Sequence, residues 1–361
     1  MAGTKARGLG LVKVLVTGAT GFVGQALVKK LLQDGCELTA LVRAFSNVLP
    51  DNVGQVVTGD LANLTCRSPA ARLRQNGKSD TDGVCTGQGD RGPGLKGLED
   101  TLHNIDVLIH TAARAHVMND HQEDSLKVFR KINTEATLEL ARMAAKAGVK
   151  RFVFLSSIGV NGAVTDGRPF TEQDEPAPHN DYALSKWEAE QGLQQLVKET
   201  KMEVVIIRPP LIYGPGAPGN FRTLLIWARK SVPLPFAKVN NRRSFLALEN
   251  LLSFISLAIT HPRAANETFL LADECDVSTS DLLKAVADAF DVPSRLFYLP
   301  ARLFYLLARM TKREHMFKQL WGSLEVDTTK ACAQLGWQPV VTMSEQLRQI
   351  VDDENTLRSQ S

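Results

Sequence analysis

The chain predicts an α/β protein: a doubly wound parallel sheet with a smaller C-terminal substrate-binding part. Three observations predict it. Short apolar runs alternate with helix-length patterns along the first two hundred residues. The first apolar run, Val12–Val16, enters a glycine turn that opens a helix. After about Pro209 the alternation gives way to Pro/Gly-rich loops and separate helices. Residues 10–208, with later segments interleaved, are therefore expected to form the sheet domain, and 209–361 most of the smaller one.

The elements follow in order. Strands are expected at Val12–Thr17, Glu37–Arg43, Gln55–Thr58, Asp106–His110, Arg151–Leu155 and Glu203–Ile207. Helices are expected at Gly21–Asp34, Asp124–Ala147 and Tyr182–Thr200. Gly35 and Gly148 stop the first two, where a left-handed residue is needed. Cys66–Gly94 breaks the rhythm. Six of the nineteen residues from Asn76 to Gly94 are glycine and nearly all the rest are polar, so a flexible insertion is expected.

Bulk composition narrows the function. At 361 residues and 44% hydrophobic content, the chain can bury a large core. Its 42 basic and 39 acidic residues leave a net charge of +3, with no dense Lys/Arg block, so no nucleic-acid partner is expected. Five scattered cysteines lack CxxC spacing and read as reduced thiols of a cytoplasmic protein. The histidines lack HxxxH spacing, and no metal site is expected. The apolar run near the N-terminus is too short for a signal sequence, and no run reaches a membrane-spanning length. Residues 296–310 (LFYLPARLFYLLARM) are the most apolar segment: a helix packed on the substrate domain or one resting on a membrane surface.

The glycine turn is Gly18-Ala19-Thr20-Gly21-Phe22-Val23-Gly24. Gly18 permits the turn, Gly21 lets backbone approach a pyrophosphate, and Gly24 lets helix and strand pack closely. The unpaired N–H groups of the helix start, from Thr20 to Val23, face the phosphates. This is the Rossmann-like dinucleotide site. An acid that would bond a ribose 2′-OH is absent from the end of the second strand, where Arg43 stands instead. A guanidinium there suits a 2′-phosphate, which favours NADP(H), with NAD(H) as the alternative. Asp60 and Leu61 end the third strand beside the adenine, and Ala112 and Ala113 leave room after the fourth.

A second motif, Tyr182-Ala183-Leu184-Ser185-Lys186, carries the chemistry. Tyr182 and Lys186 lie one helical turn apart on one face. A neighbouring ammonium and the positively charged oxidised nicotinamide would together favour the phenolate and bring the phenol from its ordinary value near 10 towards working pH, so Tyr182 can exchange a proton at a carbon that exchanges a hydride. Ser157 offers a hydrogen bond to the same oxygen. Asn133, odd inside a helix, is a candidate for holding a relay water. The alternative for Asn133 is a plain helix-surface residue.

These residues resemble the extended short-chain dehydrogenase/reductase family, within its nucleotide-sugar epimerase/dehydratase group. The matching segments are TGATGFVG (17–24), GDL (59–61), HTAA (110–113), FLSS (154–157), YALSK (182–186), RPPLIYGPG (208–216), RRSFLALENL (242–251) and LGWQP (335–339). The resemblance covers nearly the whole chain outside Cys66–Gly94. It implies a nucleotide-sugar substrate, with Arg243 on the diphosphate, Asn220 on the nucleotide, and Pro209 and Tyr213 bordering nicotinamide and sugar. It also implies a homodimer through Asp124–Ala147 and Tyr182–Thr200.

Departures refine that expectation. The Asp-Glu pair that sugar 4,6-dehydratases carry after the hydroxyl residue is replaced by Ile158 and Gly159, which disfavours dehydration. Asn161 stands where an aromatic commonly precedes the glycine. The run Ala113–Asp120 and the Ser157–Gly162 stretch resemble bacterial UDP-4-keto-6-deoxy-N-acetylhexosamine 4-reductases, the UDP-N-acetylquinovosamine dehydrogenase type, of surface-polysaccharide (O-antigen) biosynthesis. The expected activity is 4-keto reduction; a UDP-sugar 4-epimerase is the alternative.

Overall fold

In the computed structural model the described residues are 12–64, 93–115, 125–310 and 320–359. Most of Cys66–Gly94 and the run His116–Asp120 lie outside them. Pro93 and Gly94, placed in the insertion by sequence, instead begin a helix. The chain divides into two compact units. One takes the residues through Ser156, Asn180–Ile206 and Ala258–Glu267; the other takes Ser157–His179, Ile207–Leu257 and Thr268–Ser361.

The first unit is built by alternation. Strand β1 (Lys13–Thr17) leads into helix α1 (Phe22–Gln33), then β2 (Glu37–Val42), β3 (Gly54–Val57), α2 (Pro93–Leu102) and β4 (Val107–His110). Helices α3 (Ser125–Phe129) and α4 (Ala136–Ala147) are joined by a π turn at Arg130–Glu135, and then β5 (Arg151–Leu155), α5 (Asp181–Glu199) and β6 (Glu203–Arg208) follow. With β9 (Glu267–Leu270) the seven-stranded sheet runs β3-β2-β1-β4-β5-β6-β9. β1 pairs in parallel with both β2 and β4, Val14 meeting Leu38 on one side and Val107 on the other. The strands are Val/Ile/Leu runs because both faces are covered. Leu15, Leu98, Leu108, Leu140, Phe152, Phe154 and Leu193 form one buried cluster between the sheet and α2, α4 and α5. The strand order reverses between β1 and β4, the position at which such sheets open a crevice beyond their strand ends.

Local chemistry sets the ends. Asn180 caps α5, its Oδ1 accepting from the Ala183 amide at 2.8 Å, and Asp181 places negative charge in the first turn. Gly35 and Gly148, at φ +86° and +91°, end α1 and α4 in the left-handed conformation expected of them. The one long helix expected over Asp124–Ala147 is a correction: the π turn interrupts it, and one extra residue per turn shifts the face that follows.

In the second unit β7 (Leu211–Tyr213) pairs in parallel with β8 (Phe245–Ala247). Helices α6 (Gly219–Arg229), α7 (Leu248–Ala258), α8 (Thr279–Ala289), α9 (Ala301–Met310), α10 (Thr329–Leu335) and α11 (Met343–Ser359) complete it. Its polar centre is Asp273. The Tyr213 hydroxyl donates to Asp273 Oδ2 at 2.7 Å, while Oδ1 accepts from the Ala247 amide at 2.8 Å and from Asn250 Nδ2 at 2.7 Å. Asn250 in turn binds the backbone of Val340 and Val341. Burial raises the Asp273 carboxyl, and these donors oppose that rise.

Gly24 tests the turn's packing. A Cβ there would fall inside the van der Waals shell of the Gly18 carbonyl oxygen, and one on Gly18 would lie 2.7 Å from the Ala112 amide nitrogen. Gly24→Ala is expected to reduce unfolding free energy by about 2–4 kcal/mol through backbone displacement. Gly35→Ala meets open space and is expected to cost only about 1–2 kcal/mol, from its positive φ. Urea midpoints at unchanged slope measure both.

Candidate functional site

In the first unit, three sets of predicted residues converge on the strand ends of the sheet. The Gly18–Gly24 turn closes on itself, the Gly21 amide donating to Gly18 O at 2.9 Å. Helix α1 begins at Phe22 with neither a side-chain cap nor an acid in its first turn. Its first N–H groups, at Phe22 and Val23, therefore present positive charge outward, and Thr20 is exposed beside them. Ala112 and Ala113 follow β4 against Gly18. This small-residue cradle at an uncapped helix start fits a dinucleotide pyrophosphate.

Arg43 is exposed just past β2, with no hydrogen bond or ion pair among the described residues. Asp60 follows β3 at the start of the next turn. It caps a short 3-10 turn, Leu61–Asn63, its Oδ1 accepting from the Ala62 amide at 3.0 Å.

Tyr182 and Lys186 share one face of α5, as their spacing requires. Lys186 is 1% exposed, donates from Nζ to Leu155 O at 2.8 Å, and sits 4.4 Å from the centre of the Phe154 ring. Burial pulls its pKa down to about 7, and the charge of Glu190 opposes that fall. Tyr182 packs edge-on against Phe129 at 6.1 Å. The sequence reading expected a lowered phenol. Desolvation instead pushes Tyr182 up to about 12. The Lys186 ammonium is engaged by Leu155 O and the Phe154 face.

Two groups near this face were not singled out by sequence. Glu190 is fully buried one further turn along α5, where Ser156 Oγ donates to its Oε1. His110 is 1% exposed between two hydroxyls, with Nδ1 2.8 Å from Thr17 Oγ1 and Nε2 2.9 Å from Thr137 Oγ1, and it stacks on Phe154. Burial and the Lys186 charge hold it neutral, its pKa down to about 3. The signal was available: Tyr182, Lys186 and Glu190 recur every fourth residue, and Thr17, His110 and Thr137 end or face adjacent strands.

Asn133 lies in the π turn and is fully buried. Its Oδ1 accepts from the Arg114 amide at 2.9 Å, and its Nδ2 donates to Arg114 O at 3.2 Å and Ser185 Oγ at 3.0 Å. The amide is thus consumed by protein partners. That corrects the expectation of a water-holding side chain: Asn133 fastens the stretch after β4 to α5. Asn133→Ala leaves both backbone groups of Arg114 without that partner and is expected to cost about 2–3 kcal/mol. Faster hydrogen exchange at the Arg114 amide, with the amides of β4 unchanged, is the accompanying readout.

In the second unit, Ser157 opens a short 3-10 turn, Ile158–Val160, its Oγ accepting from the Gly159 amide at 3.1 Å. Its O–H is left to donate elsewhere. The Ile158 amide donates to Pro209 O at 2.9 Å. Ile158 and Gly159 are buried, so this turn offers no acid–base pair. Asn161, 2% exposed, makes a polar junction that an aromatic could not: its Oδ1 accepts from Arg208 Nη1 at 2.9 Å and its Nδ2 donates to Thr171 O at 2.9 Å. A pocket of about 770 Å³ opens beside it, lined by Gly162, Phe170, Ala177, Trp321 and Gly322 among others. Arg243 reaches Gly322 O through Nη1 at 2.9 Å, and its burial lowers the guanidinium pKa. Asn220 is exposed in the first turn of α6. Tyr213 departs from expectation: it is fully buried on Asp273 between Phe221 and Phe245.

Comparison with known proteins places this geometry. A Vibrio cholerae protein named UDP-glucose 4-epimerase is 38% identical over 338 residues, 93% of each chain. The UDP-glucose 4-epimerase of Thermotoga maritima, solved with UDP-glucose, superposes with a TM-score of 0.72 at 20% identity, over 96% of this chain and 100% of its own. A dTDP-glucose 4,6-dehydratase from Streptomyces venezuelae, solved with NAD, gives the same TM-score of 0.72 at 20% identity, over 97% of this chain and 98% of its own. The two solved relatives share the fold alone, since they differ in reaction. The family model for the NAD dependent epimerase/dehydratase family matches residues 14–272, most of the chain, and with the 38% identical relative it shows that this protein belongs to that family.

Proposed function

We propose that the protein is a nicotinamide-dependent oxidoreductase acting at C4 of a UDP-activated sugar, reducing a 4-keto-6-deoxy-N-acetylhexosamine for surface polysaccharide. The carrying observation is one face of α5, where Tyr182 lies one turn before Lys186, whose buried Nζ is fixed on Leu155 O at 2.8 Å. A protonated phenol at neutral pH is the form that gives a proton to a carbonyl oxygen.

The residues take the following roles. The Gly18–Gly24 turn, with Thr20, Phe22 and Val23 at the helix start, holds a pyrophosphate. Ala112, Ala113, Asp60, Leu61 and Pro209 border the rest of the cofactor. Hydride exchange is the chemistry a nicotinamide supplies when bound. Tyr182 protonates the C4 oxygen, so that the ketone gains one hydride and one proton and becomes an alcohol. Lys186 orients the cofactor and keeps the site positive, and Ser157 donates a hydrogen bond to the sugar oxygen. Arg243 and Asn220 engage the nucleotide diphosphate. Asn133, Glu190 and His110 position these groups. The exposed Arg43, without an ion pair among the described residues, supports NADP(H), with NAD(H) as the alternative.

The second reading is a UDP-sugar 4-epimerase, and the name of the Vibrio cholerae relative favours it. An epimerase would use the same residues in both directions and show no net redox. The deciding experiment supplies purified protein with NADPH, and separately NADH, and UDP-4-keto-6-deoxy-N-acetylglucosamine. Stoichiometric absorbance loss at the nicotinamide band supports the reductase. Interconversion of UDP-glucose and UDP-galactose, or of their N-acetyl forms, without that loss overturns it in favour of the epimerase.

Three outcomes are expected. Tyr182→Phe should lower kcat by about two to four orders of magnitude while cofactor affinity stays, measured by steady-state rates and cofactor titration. Arg43→Ala should reduce any preference for NADPH over NADH by about tenfold or more, read as the ratio of kcat/KM values. The third concerns pH. Lys186 is charged below its pKa and neutral above it, so kcat/KM for cofactor should fall as pH rises through about 7. Glu190→Gln removes the charge that opposes burial, and the fall should move to lower pH. An unmoved profile would assign Glu190 to packing alone.

A further inference from the structure

Helix α9 and the segment before it carry the largest concentration of exposed apolar side chains among the described residues: Phe297, Tyr298, Leu303, Tyr305, Leu306 and Met310, from 40% to 74% exposed. The inward face is fixed. Phe304 packs on Trp321 at 4.3 Å and Phe236 at 6.0 Å, within the second unit's own core. At about 100° per residue, Leu303, Leu306 and Met310 then form one outward stripe, at i, i+3 and i+7. Arg302, Tyr305 and Arg309 form the stripe alongside it, with the same spacing.

Charge selects the partner. From Val292 to Arg313 the sequence has five basic residues and no acid, against a near balance of 42 to 39 over the whole chain. Lys238 adds a further cation, its Nζ 5.3 Å from the Tyr298 ring centre. A protein partner that matched the leucine–methionine stripe would need an acidic rim as well. A bilayer with anionic headgroups offers both features on one surface: hydrocarbon beneath, negative charge above, and an interfacial zone that suits tyrosine.

We infer that α9 is a membrane-surface helix. It lies in the plane of an anionic bilayer with Leu303, Leu306 and Met310 buried at the acyl boundary and Arg302 and Arg309 at the headgroups. Phe304 anchors the helix to the rest of the second unit, so binding would hold that unit at the surface without any spanning segment. Among the described residues no helix is long and apolar enough to cross a membrane. The attachment is reversible, as expected of about ten residues of amphipathic helix without a lipid chain.

The test is co-sedimentation of the full chain with vesicles of phosphatidylcholine alone, and of phosphatidylcholine mixed with phosphatidylglycerol. The expected result is binding to the mixed vesicles, little binding to the neutral ones, and release by added salt. Leu303→Glu with Leu306→Glu should abolish binding, while circular dichroism and turnover of a water-soluble substrate stay as in the parent. Arg302→Ala and Arg309→Ala should each lower the partition coefficient by about fivefold, the equivalent of about 1 kcal/mol per cation. Wild-type protein that stays in the supernatant with anionic vesicles overturns the inference. So does a leucine double variant that binds like the parent. A leucine variant that instead converts a dimer to a monomer in sedimentation analysis also overturns it, and makes the stripe a self-association face.

Discussion

One constraint organises the first unit: the burial of a lysine ammonium beneath the sheet's strand ends. Removing such a charge from water is costly unless hydrogen bonds and opposite charge replace hydration. Lys186 receives a carbonyl from Leu155, an aromatic face from Phe154 and the field of Glu190. Each supporting group is itself fixed. Glu190 is held by Ser156, and Phe154 is stacked on a histidine that Thr17 and Thr137 grip from both sides. Burial keeps the imidazole neutral, and the Lys186 charge acts in the same direction. Threonine hydroxyls serve it well, since they can donate to one nitrogen and accept from the other.

This arrangement joins the turn after β1 to the helix that carries Tyr182. Thr17 ends β1, His110 ends β4, Thr137 lies on α4 and donates to the Asn133 carbonyl, and Asn133 reaches Ser185 on α5. The connection is made wholly of short polar side chains inside an otherwise apolar core. Such networks hold their geometry because each member is hydrogen-bonded where the local dielectric is low. The relative placement of cradle and proton donor is therefore a property of the core as well as of the loops.

Much of this was legible in the sequence. Alternating apolar runs gave the sheet, because parallel strands covered on both faces must be continuously hydrophobic. The glycines gave the turn, because a Cβ at Gly18 or Gly24 would occupy space already taken by backbone. The four-residue spacing placed Tyr182 and Lys186 on one face. What periodicity could not convey was the environment. The same tyrosine–lysine spacing is compatible with a lowered or a raised phenol, and the direction follows from how far the phenol is removed from water. Tyr213 misled for a related reason. Its motif neighbours suggested a site border, but a phenol with a buried carboxylate partner, Asp273, is drawn inward. Asn161 was visible only as a missing aromatic, since its partners, Arg208 and Thr171, lie 47 and 10 residues away. The departures at Ile158 and Gly159 were readable directly, because loss of two carboxylates needs no structure to be noticed.

The π turn at Arg130–Glu135 carries a consequence for how this region is compared with its relatives. A single-residue widening rotates everything downstream by about 100° relative to a regular helix. Ala136–Ala147 therefore continues the axis of Ser125–Phe129 but not its angular register. Helical-wheel reasoning has to restart at Ala136, and any subunit interface inferred by extending one stripe through the turn would be assigned the wrong side chains. Geometrically the turn is equivalent to one extra residue set into a helix. Its deletion would leave length and hydrophobicity almost untouched while turning Asn133 away from Arg114. A relative lacking that residue would look like a close match in alignment and yet lack the fastening between β4 and α5.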